Sequence, residues 1–184
     1  PTLRPVLTWS TARVVVSILM AMCGIVGYVG PAVNERALDV VMEGLARLEY
    51  RGYDSAGIAL VDGDHVDTRK RSGKLANLRE LLADKPLPPS ATAIGHTRWA
   101  THGGPTNENA HPHRGGTDGK LAVIHNGIIE HFHALKSGLL AQGVEFTSET
   151  DTEVAAHLLA RTYDEVGDLT VAMRIVSGQL EGAF

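Results

Sequence analysis

Cys23 is the only cysteine of the chain, and it stands directly after Met22 in "MCGIVGYVG" (22–30). A cysteine that becomes the first residue of a mature chain carries a free α-amine beside its thiol. The unperturbed pKa of that amine is about 7.7–8.0, near working pH, so one residue can supply both nucleophile and base. The alternative is a buried structural cysteine in a strand. Acyl transfer to a thiol also needs donors for an oxyanion. "HNG" (125–127) offers them in the amide of Asn126 and the unshielded N–H of Gly127; losing one such donor typically costs about 3–4 kcal/mol. An Asn-Gly turn is the competing reading of the same two residues.

"HTRWATHGG" (96–104) sets Arg98, Trp99, Thr101 and His102 at the mouth of another apolar run. A guanidinium can grip a carboxylate through two parallel hydrogen bonds, so Arg98 is a candidate substrate clamp, or else half of a structural ion pair. In "SETDTE" (148–153), Thr150 and Glu153 have the spacing of a capping box. Asp151 then either stabilises a helix N-terminus or receives the ammonium group of an amino-acid substrate. Seven of the nine histidines fall between residues 96 and 133, including His111-Pro112-His113 and His131-Phe132-His133. Neither pair has the HExxH spacing or a cysteine partner, and residues i and i+2 of a helix point apart. No metal site is expected. The glycines at 24 and 27 do not continue into a phosphate-binding loop.

The elements that must position these residues follow from periodicity. Cys23 to Val29 reads as a buried strand stopped by Gly30-Pro31. Ala37, Leu38, Val41, Leu45 and Leu48 recur at helical spacing behind Asn34, a candidate N-cap. Residues 57–62 and 65–73 read as a hairpin turning near Asp62-Gly63-Asp64, and "KLANLRELLAD" as a short helix ended by "KPLPPS". Residues 92–98 and 121–127 are two more strand candidates, separated by a long polar stretch of the kind that is more often functional than idle. Helical patterns occupy 132–142, 152–163 and 168–177. Sheet early and helices late predict an α+β layered domain.

Composition excludes several roles. The 184 residues carry a formal charge of −4 with scattered Lys and Arg, and aromatics make up 5%; neither a nucleic-acid footprint nor a base-stacking platform is present. A single cysteine permits no internal disulfide. Arg4 and Arg13 precede an apolar run, Val14 to Met22, that imitates a signal peptide. The run is too short to span a bilayer, and Met20 and Met22 stand where secretory cleavage needs small residues. The expectation is that translation begins at Met22, with 1–22 an N-terminal extension and 23–184 the domain. That domain is expected to be incomplete, because a strand is starting at "GQLEGAF" (178–184).

Five blocks, "CGIVGYVG", "LEYRGYDSAGIA", "GHTRWATHGGPTNENAHPH", "HNGIIE" and "SETDTEV", closely resemble the N-terminal glutaminase domain of the glucosamine-6-phosphate synthases (glutamine–fructose-6-phosphate aminotransferases, isomerizing), which are class II glutamine amidotransferases. "RGYDSAG" separates them from the amidophosphoribosyltransferases and asparagine synthetases. The resemblance implies the four-layer αββα sandwich of N-terminal nucleophile hydrolases. It implies that Cys23, exposed by removal of Met22, attacks the side-chain amide of L-glutamine to form a γ-glutamyl thioester, with Asn126 and Gly127 holding the oxyanion. Arg98 would bind the glutamine α-carboxylate, Trp99, Thr101 and His102 would shape the pocket, and Asp151 would receive the α-amino group. The ammonia would pass to fructose 6-phosphate on a C-terminal isomerase domain absent from this chain. No cofactor, metal, nucleic acid or membrane is implied; a cytoplasmic homodimer is implied for the full-length enzyme. The alternatives are a silent glutamine-binding or assembly module with Cys23 blocked, and the glutaminase domain of another class II amidotransferase. His131 stands where the family commonly has Asn.

Overall fold

The computed structural model describes residues 23–34 and 36–183; the expectations for 1–22 fall outside them. Its centre is a four-stranded antiparallel sheet of β1 (Gly24–Asn34), β2 (Ser55–Asp62), β3 (His65–Ser72) and β4 (Ser90–Arg98), in the order β1-β4-β2-β3. The predicted hairpin is β2–β3, closed by Gly63-Asp64 with Asp62 opposite His65.

Alternation along these strands divides the sheet into two faces. Ala56, Ile58 and Leu60 of β2 and Ala93 of β4 face one way. Against them pack Ala37, Val41, Met42 and Leu45 of α1 (Arg36–Leu48) and Leu75 and Leu78 of α2 (Leu75–Asp84). Val41, Leu45, Ile58 and Leu78 are fully buried, each such side chain contributing about 1.5–3 kcal/mol. At the entry to α1, Asn34 Oδ1 accepts the Arg36 N–H at 2.9 Å. The helix lies this close because residue 95 is glycine: a Cβ there would stand 2.4 Å from Val41 Cγ1. On the opposite face, a Cβ at Gly57 would stand 2.1 Å from the His111 carbonyl oxygen. The bare strand lets the 109–113 segment cross it.

Beyond that second face lie two small sheets and three helices. β5 (His113–Gly115) pairs with β6 (Leu121–Val123), and β7 (Ile128–Ile129) with β8 (Gly182–Ala183). α3 (Phe132–Leu140), α4 (Asp151–Val166) and α5 (Leu169–Ser177) form the outer layer. Two further cores seal it, one around Leu121, Leu159, Ala172 and Val176 and one around Ile129, Phe132, Leu139 and Val154. The architecture is α+β with antiparallel sheets between helical layers.

Two expectations need correction. β1 does not stop at Gly30-Pro31 and is not buried on both faces. It runs on to Asn34 with a register irregularity after Val29, which is 82% exposed. β1 is an edge strand, where proline removes no ladder hydrogen bond. The apolar run 121–127 is not one strand: β6 ends at Val123, and the chain turns through His125-Asn126-Gly127 before β7.

Candidate active site

Strand register places the first pair. Gly24 lies opposite Thr97, so one further step along β1 sets Cys23 beside Arg98, and Arg98 in turn lies opposite Ser55 of β2. Cys23 is half-buried. Its Sγ receives the Trp99 N–H at 3.3 Å. Arg98 is 3% exposed and belongs to no carboxylate ion pair among the described residues. Its guanidinium donates to the carbonyls of His102, Gly103 and Gly104. Burial lowers its pKa, and the neighbouring Asp54, Cys23 and Asp151 oppose that shift. Cys23, Arg98 and Asp151 therefore share one electrostatic neighbourhood.

The loop after Arg98 is ordered by its own amides. Asn109 donates to the Gly104 carbonyl at 3.0 Å and to Glu149 Oε2 at 3.1 Å, while its Oδ1 accepts the Glu149 N–H at 2.9 Å. Asn107 Oδ1 accepts the Ser72 N–H at 2.9 Å. Trp99 and Thr101 remain exposed and His102 half-buried, its ring 4.9 Å from that of Phe132.

At the start of α4, Thr150 is the N-cap, its Oγ1 accepting the Glu153 N–H. Glu153 does not reciprocate in the manner of a capping box. It turns to Thr147 and Ser148, accepting their backbone N–H and hydroxyl groups at 2.7–2.8 Å. Burial raises its pKa, but these bonds outweigh burial and hold it below the usual value. Asp151 is buried, with Oδ1 accepting the Thr152 N–H and Oδ2 the Ile129 N–H, both at 2.9 Å. It fastens β7 to the helix. His125 Nδ1 lies 3.2 Å from Thr152 Oγ1. Asn126 and Gly127 are thus suspended between two points anchored on the α4 N-terminus, with Asn126 exposed.

Sequence reasoning missed His125, Thr152 and Asp54 in this neighbourhood. The signal for each lay in a quoted block: Asp54 in "RGYDSAG", His125 in "HNGIIE" and Thr152 in "SETDTEV". Three of the clustered histidines form a buried stack: the His96 and His111 rings lie 4.6 Å apart and nearly parallel, and His113 meets His111 edge-on at 4.8 Å. Among the described residues, the group close enough to share an ion is Asp62, His65 and Asp67 on the β2–β3 hairpin. A cavity of about 1050 Å³ lined by Lys70, His113, Glu153 and His157 includes none of Cys23, Arg98 or Asp151. Burial lowers the Lys70 pKa to about 8.

The family model described as the glutamine amidotransferase domain matches residues 96–184. The chain carries a glutamine amidotransferase domain. It is 62% identical over 163 residues to the glutamine–fructose-6-phosphate aminotransferase (isomerizing) of Streptomyces coelicolor, covering 89% of this chain and 26% of the relative. The Corynebacterium glutamicum enzyme of the same name is 60% identical over 168 residues, with 89% and 27% covered. The chain spans about a quarter of the length of these relatives. In three dimensions the amidotransferase domain is similar to the allosteric regulatory enzyme of purine biosynthesis, with a TM-score of 0.69 at 33% identity, over 86% of this chain and 33% of that one. It is also similar to the glutamine phosphoribosylpyrophosphate amidotransferase of B. subtilis, with a TM-score of 0.64 at 31% identity, over 88% and 33%. No helix among the described residues is long and apolar enough to cross a membrane.

Proposed function

We propose that the mature domain begins at Cys23 and hydrolyses the side-chain amide of L-glutamine. The observation that carries this reading is the setting of Cys23: the Trp99 N–H lies 3.3 Å from Sγ, and the β1–β4 register brings the buried Arg98 alongside. The free α-amine takes the thiol proton, and Sγ attacks the amide carbon. The resulting oxyanion is held by the Asn126 side chain and the Gly127 N–H. Collapse of the tetrahedral species returns the proton to the leaving nitrogen, releases ammonia and leaves a γ-glutamyl thioester. Water, with its proton taken by the same amine, then releases glutamate and restores the thiol.

Arg98 receives the glutamine α-carboxylate and Asp151 the α-ammonium group, with Trp99, Thr101 and His102 around them. The Arg98 N–H groups already hold three loop carbonyls, so binding a carboxylate requires those contacts to be shared or exchanged. In the full-length protein the ammonia goes to fructose 6-phosphate on an isomerase domain, within a cytoplasmic homodimer that needs neither nucleic acid nor membrane. The identity with the aminotransferases above supports that assignment.

The test is incubation with glutamine and with a glutamine-like electrophile, followed by glutamate assay, intact mass and N-terminal sequencing. Turnover, rapid labelling of Cys23 and an N-terminus at Cys23 are expected. Glutamate release by a Cys23→Ala variant, or by protein whose Cys23 nitrogen remains in a peptide bond, would overturn the mechanism. Binding without labelling would identify a silent module.

A further inference from the structure

Asp54 lies one residue before β2 and has no role in the chemistry above. Its backbone N–H donates to the Arg98 carbonyl at 2.8 Å, and its Oδ2 accepts the Ala100 N–H at 2.6 Å. These bonds hold the backbone on both sides of Trp99. Trp99 is the residue whose N–H meets Cys23 Sγ. The clamp is itself anchored, since Oδ1 accepts the Ser55 hydroxyl at 3.0 Å and the Asp54 carbonyl accepts the Gly73 N–H at 2.6 Å.

We propose that Asp54 is a positioning residue for the Cys23 thiol: it fixes the 98–100 backbone so that the Trp99 N–H is aimed at the sulfur. The proposal rests on the reading of Cys23 as nucleophile. A donor aimed at sulfur favours the thiolate over the thiol. A carboxylate makes the Asp54 side of the clamp a charge-assisted hydrogen bond, shorter and stronger than a neutral one. Displacing the peptide by a fraction of an ångström withdraws that stabilisation and misdirects the attacking atom.

Asp54 also contributes a negative charge, which disfavours a nearby thiolate, so its two effects have opposite signs and must be separated. Asp54→Asn removes the charge but keeps an acceptor for Ala100. Asp54→Ala removes both. The difference between the two variants isolates the hydrogen bond.

The experiment is the rate of iodoacetamide alkylation of Cys23 against pH, with kcat and KM for glutamine hydrolysis, in the unaltered chain and both variants. The alkylation midpoint of D54A is expected at higher pH than that of D54N. In D54A kcat is expected to fall about tenfold or more with KM little changed, and in D54N to stay within about threefold of the unaltered chain. Coincident alkylation profiles for the two variants overturn the proposal. Alkylation requires no turnover, so a chain that fails to hydrolyse glutamine refutes the proposed function while the Asp54 question is still decided. If D54A does not fold, amide hydrogen exchange of the unaltered chain decides: the Ala100 N–H is expected to be protected about a hundredfold over an open loop amide, and free exchange overturns the clamp.

Discussion

Asn126 is exposed between His125 and Ile129, both tied to the start of α4. Its side chain can therefore be shortened without opening a cavity in the core, and a loss of rate would report on chemistry. Asn126→Ala is expected to lower kcat for glutamine hydrolysis by about 10²–10³, with KM within about threefold. Steady-state kinetics check this; an unchanged kcat would remove Asn126 from the oxyanion site. Asp151 shows why one residue can support two readings. Its two oxygens each accept a backbone N–H, yet each carboxylate oxygen has a second lone pair free for an ammonium group. The structural role and the binding role are compatible in one side chain.

At the scale of elements, the two faces of the central sheet do different work. One is sealed by aliphatic side chains of α1 and α2, and the other carries Arg98, His96 and the segment that crosses Gly57. α3 begins less securely than its neighbours. His131 occupies its N-cap position without a side-chain cap hydrogen bond, whereas Asp168 caps α5 by accepting the Val171 N–H at 2.9 Å. His131→Asn supplies the missing acceptor and is expected to stabilise the fold by about 1 kcal/mol. A denaturant midpoint shifted upward with an unchanged slope would show it, and an unchanged midpoint would mean that the histidine ring makes an equal contribution by packing.

For the molecule as a whole, the buried histidine stack sets a pH dependence. Burial, reinforced by Arg98 and His125, holds the His96 pKa down to about 3. Burial also holds His111 and His113 well below the usual 6.5. In the unfolded chain all three titrate near 6.5. Below that pH the unfolded state binds more protons than the folded one, so stability is full above about 6.5 and falls as pH drops, by about 1.4 kcal/mol per pH unit for each excess proton. Glu153 adds a second loss at lower pH, where its depressed carboxyl is finally protonated. Urea midpoints measured from about pH 7.5 to about pH 5 are expected to decline from the first titration. A flat profile across that range would show that the stack carries its protons in the fold.

Residue order alone determined the α+β class, α1, the β2–β3 hairpin and the Thr150 cap, because each depends on side chains within a few positions of one another. It also pointed to Cys23, Arg98 and Asp151, whose chemical types announce what they can do. Tertiary structure decided that β1 passes through Gly30-Pro31, since only sheet order makes that strand an edge, and that Glu153 serves the 147–148 turn. It decided, too, that the Trp99 peptide meets the thiol and that Asp54 grips both of its flanks. Those contacts join residues as many as 76 positions apart through backbone groups that every residue possesses. Local pattern carries no trace of them; the sheet register that brings them together does.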